Sequence, residues 1–296
     1  MSKKKFEEHL LWLLRKSRTF FTKREMQPLL EEISEAFMQL STFPEVYIFL
    51  VERHTDELVF RHGQNGDGDK LEFKDAKKIS ALRRVMQKQL CQYSDTAAKK
   101  GPASITVPLY NDSEEAQGVV YLNAESGTKV SPIDNYLQRA IEMLGENTGA
   151  AVDNVRMFER ATNDPLTGLP NSSYFLLHLA KIMREANEDS VAGILLLDMD
   201  HFKRINNAAG AEVGDKALID VGETLQDIAR ADGLVARYGS DKFAILLPPE
   251  EDTPIAIRVR DVAERARAAV AAKSYHGISL SASIGGLTYP GKEGIE

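Results

Sequence analysis

The sequence predicts an α+β chain of two modules joined by a helix, and three observations carry that reading. Helical stripes and short strand-length apolar runs alternate up to about residue 130. One helical stripe then runs from Ser131 to about Ala161. Beyond it, Ala236-Arg237-Tyr238-Gly239-Ser240-Asp241-Lys242-Phe243, followed by Ala244-Ile245-Leu246-Leu247, reads as strand, tight turn, strand. A chain of 296 residues is long enough for two domains of ordinary size, each with its own core.

The elements follow in order. Phe6 to Leu40 places Leu10, Leu13, Leu14, Leu29, Leu30, Ile33 and Phe37 at helical spacing, which predicts two helices broken near Thr22 or Pro28. Val46–Val51 and Leu58–Arg61 read as strands, and His62–Asp69, with its glycines and short polar residues, reads as a turn or loop. A helix is expected over about Ala76 to Tyr93, then strands at Ser104–Leu109 and Gln117–Leu122 joined by a polar turn. In the connecting helix, Ser131 and Pro132 suit an N-cap and a first helical residue. Ile133, Leu137, Ile141, Leu144, Val152, Val155 and Phe158 form its stripe, a face that can pack on its own module or pair with a second copy of itself. Gly145 and Gly149 would weaken a long uninterrupted coil.

Composition sets the outer limits. An apolar share of 43% and a charged share of 27% are those of a soluble globular protein. The net charge of −7 disfavours a general nucleic-acid role, which calls for a basic face. A single cysteine, Cys91, excludes an intramolecular disulfide framework and fits a reducing compartment. On its expected amphipathic helix Cys91 reads as a packing residue, and His54 and His62 lack partners at metal spacing. No run approaches the roughly 20 apolar residues needed to span a bilayer. The run Leu10–Leu14 is broken by Arg15 and Lys16 with no cleavage site after it, so a signal peptide is not expected and the protein reads as cytoplasmic.

The hairpin turn carries the chemistry. Two small residues and a carboxylate at a tight turn let backbone approach phosphates and set an acidic metal ligand beside them. Together with Leu195-Leu196-Leu197-Asp198-Met199-Asp200-His201-Phe202-Lys203, it resembles the GGDEF family of diguanylate cyclases. The resemblance runs from about residue 163 to 290. Asn163-Asp164-Pro165-Leu166-Thr167-Gly168-Leu169-Pro170-Asn171 matches the opening motif, Lys203, Ile205 and Asn206 the helix after the first strand, and Gly214-Asp215 with Leu218 a further motif. Upstream, helices flanking an antiparallel sheet, with Val107-Pro108-Leu109 and Gly118–Leu122 near its end, resemble a GAF sensor domain over about residues 25–150. The expected organisation is an N-terminal helix at 1–24, a GAF-like antiparallel sheet with flanking helices at 25–130, a signalling helix at 131–161, and at 162–296 a degenerate GGDEF-like unit, a palm-like α/β sandwich of the nucleotidyl-cyclase kind.

The GGDEF resemblance implies a reaction in which two GTP molecules each attack the other's α-phosphate through a 3′-hydroxyl, assisted by a divalent ion. It implies Asp198, Asp241 and the Met199 carbonyl as ligands of Mg²⁺, Asn206 and Asp215 at the guanine edge, Lys203 at phosphate and Gly239 against the triphosphate. The chain departs from the family at several points. Gly239-Ser240-Asp241-Lys242-Phe243 has a serine for the second glycine and a lysine for an acid, and Ser172 and Ser173 replace two arginines. Lys242 reverses the charge beside the metal ligands and cannot activate a nucleophile as a metal does. The inhibitory cyclic di-GMP site implied by the family would use Arg230, with Gly233 where its aspartate belongs and Asp232 one residue early, and Arg265 from a later helix.

These readings predict a bacterial cyclic di-GMP signalling protein with a catalytically silent GGDEF domain. That domain would act as a receptor for GTP or cyclic di-GMP or as a protein-interaction module, with Mg²⁺ binding weakened. The tandem arrangement implies a homodimer along the connecting helix and GAF-like module, a protein partner, and neither nucleic acid nor membrane. A low-activity cyclase and a nucleotide-free docking scaffold are the alternatives. The family usually continues beyond Ser283-Ile284-Gly285 with a helix and a final strand, so either the sequence is cut short or the sheet lacks an edge element.

Overall fold

The computed structural model describes residues 3–41, 43–94, 103–124, 133–185, 191–229, 233–248, 253–289 and 294–295. The chain divides into two compact units, Met1–Glu159 and Arg160–Glu296.

The first unit is a five-stranded antiparallel sheet between two helical layers. Helices α1 (Lys3–Phe20) and α2 (Met26–Ser41) precede strands β1 (Glu45–Glu52) and β2 (Glu57–Asn65). Helix α3 (Ala76–Gln87), strands β3 (Gln92–Ser94), β4 (Ser104–Tyr110) and β5 (Ala116–Asn123), and helix α4 (Asn135–Thr162) follow. The sheet order is β2-β1-β5-β4-β3. Inner strand β1 is apolar on both faces because both are covered. Val46, Ile48 and Leu50 join the core that contains Ile33 and Phe37 of α2 and Ile141 and Val152 of α4. Tyr47, Phe49 and Val51 join Leu82 and Met86 of α3 on the other side.

Four expectations in this unit are corrected. The residues His62-Gly63-Gln64-Asn65 continue β2, paired with β1 through Glu45↔Asn65, so only the segment beyond Asn65 is loop. The helix expected to reach Tyr93 ends at Gln87, and Gln92–Ser94 pairs with β4 instead. Cys91 therefore lies between α3 and β3, part-buried against the core, with burial pushing its thiol up to about 11. Helix α4 begins at Asn135, capped by the Asp134 carboxylate accepting from the Leu137 N–H at 2.9 Å; Ser131 and Pro132 lie outside the described residues.

The fourth correction concerns the stripe of α4. Leu137, Ile141, Leu144, Val152 and Val155 are buried in the core of their own unit, so that face is not free to pair with a second copy. The glycines explain the fit. A Cβ on Gly149 would stand 2.1 Å from the Tyr110 carbonyl oxygen, and one on Gly145 would stand 2.5 Å from a Val107 methyl. Their absent side chains let α4 lie directly on β4, and tertiary packing outweighs the helix-propensity cost. Asp153, almost fully buried, fixes the helix further by accepting from Arg53 at 2.7 Å and Asn111 at 3.1 Å.

The second unit opens with helix α5 (Ser172–Glu185), then strand β6 (Ala192–Met199), helices α6 (Lys203–Ala209) and α7 (Ala211–Ala229), and strands β7 (Leu234–Arg237) and β8 (Lys242–Leu247). Helix α8 (Ile255–Ala271), a short hairpin of β9 (Ser274–Tyr275) and β10 (Ile278–Ser279), and strands β11 (Ala282–Tyr289) and β12 (Gly294–Ile295) complete it. The main sheet has the order β12-β11-β6-β8-β7, with antiparallel neighbours throughout. One face carries Leu195, Leu197, Phe243 and Ile245, packed with Val221 and Leu225 of α7 and Val259 and Val262 of α8. The other carries Ala236, Ala244 and Leu246 against Phe175 of α5. At the edge, β12 pairs with Gly286 and Leu287 of β11.

Candidate functional site

Strand alternation decides which side chains meet at the end of β6. Leu195, Leu197 and Met199 point to the α7–α8 core, which sends Asp198 to the opposite face. On antiparallel β8, Phe243 and Ile245 point to the same core, so Lys242 shares the face of Asp198. Asp198 and Lys242 are also direct register partners. Their side chains form an ion pair that remains 46% and 44% exposed respectively. The hydrogen bond to Asp198, followed by the charges of Asp198 and Asp241, holds the Lys242 ammonium above the usual lysine range. The Met199 N–H donates to the Asp241 carbonyl at 3.1 Å, tying the two strand ends together.

The β7–β8 turn is built by backbone and one arginine. Tyr238 and Gly239 N–H groups donate to the Lys242 carbonyl at 2.8 and 3.1 Å. Arg237 donates to the carbonyls of Gly239 at 3.2 Å and Ser240 at 2.8 Å, and its third contact is the Asp164 carboxylate at 3.0 Å. The Ser240 hydroxyl donates to Asp241 at 2.7 Å. Burial alone would raise Asp164, but the Thr167 N–H and hydroxyl and the Arg237 guanidinium outweigh it and hold the carboxyl below its usual range. The opening motif at 163–171 thus supports the turn. Sequence reasoning gave Arg237 no role; its only signal there was an arginine two positions before the turn glycine.

The α6–α7 junction forms a second group. Phe202 and Ile205 are buried and anchor α6, leaving Lys203 and Asn206 exposed at helical spacing. Gly210, at φ +88°, turns the chain into α7. A Cβ on Gly214 would stand 1.8 Å from the Asn206 Oδ1, so the glycine is what leaves room for that amide. Asp215, the next residue, is exposed. Asp200, beyond β6, accepts from Ser283 and Ser281 hydroxyls at 2.8 Å each, and those two bonds hold it below the usual carboxylate range.

The structure therefore brings Asp198, Met199, Asp241 and Lys242 to one strand end, and Asn206 beside Gly214-Asp215 at one helix junction. Among the described residues no group of three or more His, Cys, Asp or Glu side chains converges as a metal site. Asp198, expected as a ligand, is taken by Lys242. Arg230 and Asp232 lie outside the described residues. Arg265 pairs with Asp261 at 3.3 Å along α8 and lines a cavity of about 230 Å³ with Ile228, Ile257 and Val262. Among the described residues no helix is long and apolar enough to cross a membrane.

The second unit thus sets an antiparallel sheet with two helices on one face beside a strand–turn–strand whose Asp241 lies near Asp198 at a neighbouring strand end. Residues 161–296 match the family model of the diguanylate cyclase GGDEF domain, and this part of the chain is a GGDEF domain. The chain is 32% identical over 164 residues to the diguanylate cyclase TpbB of Pseudomonas aeruginosa, covering 51% of this chain and 38% of that protein. It is 38% identical over 144 residues to the diguanylate cyclase DgcP of the same species, covering 47% and 21%. The chain thus spans less than half the length of these curated relatives. Among solved structures, the isolated GGDEF domain of TpbB is 35% identical, covers 43% of this chain and 76% of that one, and has a TM-score of 0.39.

Proposed function

We propose that the chain is a cyclic di-GMP-pathway signalling protein whose GGDEF domain binds a guanine nucleotide without turning it over. The observation that carries this reading is the Lys242–Asp198 pair. Phosphoryl transfer between two nucleotides needs a divalent ion to bridge phosphates and lower the hydroxyl's proton affinity. A lysine in ion contact with one of the two strand-end carboxylates supplies positive charge but no such activation. The groups suited to the guanine edge remain: the Asn206 amide has room because Gly214 lacks a side chain, and Asp215 is exposed beside it. A carboxylate there can accept from both guanine N–H donors, which adenine does not present.

The N-terminal unit is read as a sensor of the GAF type. Its antiparallel sheet between two helical layers supports that reading. Cyclic di-GMP is the second candidate ligand, taken through Arg265 on the wall of the α7–α8 cavity. A homodimer stays part of the proposal, through surfaces other than the buried stripe of α4.

Thermal unfolding with GTP, ATP and cyclic di-GMP tests the binding half of this reading. A ligand at 100 times its Kd stabilises by about 2.7 kcal/mol, a shift of several degrees for a domain this size. GTP is expected to raise the C-terminal unit's transition and ATP to leave it unchanged; equal shifts, or none with any of the three, would count against it. A second reading, a cyclase of low activity, is favoured by relatives that carry the name diguanylate cyclase.

A further inference from the structure

The strand-end acids and the lysine also bear on what must accompany a bound nucleotide. A Mg²⁺ ion requires close to six oxygens in octahedral array. The oxygens at hand are the Asp198 carboxylate, already in ion contact with Lys242, the Asp241 carboxylate, which accepts from the Ser240 hydroxyl at 2.7 Å, and the Met199 carbonyl. An ion placed on Asp198 would displace the ammonium or sit against it, charge on like charge. The pairing is also fixed by the fold, because Asp198 and Lys242 are register partners on one sheet face.

Lys242 is at the same time available to a ligand. Its side chain is 44% exposed, and of the three donors on an ammonium one is accounted for by Asp198. A lysine is a compact point charge well suited to phosphate oxygens. Lys203 is exposed on α6, the helix that also carries Asn206.

We propose that this site takes the phosphates of a guanine nucleotide without a divalent cation, Lys242 standing as the resident positive charge where the ion would sit. The inference rests on the reading of this domain as a guanine-nucleotide site and adds the charge state of its ligand: the metal-free nucleotide. It makes magnesium a competitor for the ligand, and the same lysine that removes the ion removes the chemistry the ion would support.

The test is isothermal titration of the whole chain with GTP, once in excess EDTA and once in excess MgCl₂, on the wild type, Lys242→Met and Lys242→Glu. The wild type is expected to bind more tightly in EDTA than in excess magnesium, where nearly all GTP carries the ion, by about threefold or more. Lys242→Met should weaken binding in EDTA by about tenfold or more, and Lys242→Glu should bind only with magnesium. Unfolding curves without ligand establish that each variant is folded. Wild-type affinity equal in the two buffers, or higher in magnesium, overturns the inference and leaves the nucleotide-site reading standing. Absence of wild-type binding in both buffers overturns the two together.

Discussion

Lys242 faces Asp198 because β6 and β8 run antiparallel in a register that sets the two opposite each other, with the inward positions on both strands taken by core side chains. A change of one residue type therefore alters the strand end without disturbing the sheet around it. The same economy governs Gly214. Adding a methyl there would place a Cβ 1.8 Å from the Asn206 Oδ1, and the amide, as the end of a flexible side chain, would move. Gly214→Ala is therefore expected to leave stability within about 1 kcal/mol of the wild type, since alanine favours the helix. GTP affinity should fall by about tenfold through loss of one positioned amide, read by titration calorimetry. That Lys242 lies beside the turn and near Asp198 was legible in the sequence, because the residues around it form a recognisable strand–turn–strand. The roles of Gly214 and Arg237 were not. Each depends on a contact across the fold, from α7 to α6 and from β7 to the opening motif, which spacing along one element does not encode.

Among the elements, α4 separates what periodicity reveals from what it hides. Its apolar stripe was evident from Leu137, Ile141, Leu144, Val152 and Val155, but a stripe names a buried face without naming what buries it. The answer lay in the glycines. In a free-standing coil they are a weakness; against β4 they are the contact. Gly149→Ala would force a methyl into the Tyr110 backbone, a group that cannot swing away as a side-chain tip can. A cost of about 1–3 kcal/mol to the N-terminal unit is expected, measured as a lower denaturation midpoint in urea. The extension of β2 through His62–Asn65 was missed for a related reason. Glycine and short polar residues signal turns in isolation, yet here they pair with β1, whose own apolar run supplies the core.

At the scale of the whole molecule, two units with separate cores should each report their own perturbations. The N-terminal unit carries a pH dependence of its own. His62 is only 5% exposed, its Nε2 has no hydrogen-bond partner among the described residues, and burial pushes its pKa below the usual histidine value. A Gln64 hydrogen bond and the Glu31 charge act weakly the other way, and Lys70 adds to the lowering. Because the unfolded chain takes up the proton more readily, stability is full above the ordinary histidine pKa of about 6.5 and is lost as pH falls from there toward the lower folded value. The N-terminal transition is expected to fall between pH 7 and 5, and His62→Gln should flatten that dependence while leaving the C-terminal transition on its original profile. The mixed helix-and-sheet plan was legible from the alternation of helical and strand-length runs, because that alternation recurs along the whole sequence.

The measurement that bears most directly on the whole account is chromatographic quantification of cyclic di-GMP after incubating the protein with GTP and magnesium. The account predicts intact GTP and no cyclic di-GMP, because Lys242 is in ion contact with Asp198. Steady accumulation of cyclic di-GMP in proportion to protein would contradict it and make the chain a working diguanylate cyclase that tolerates a lysine in its turn.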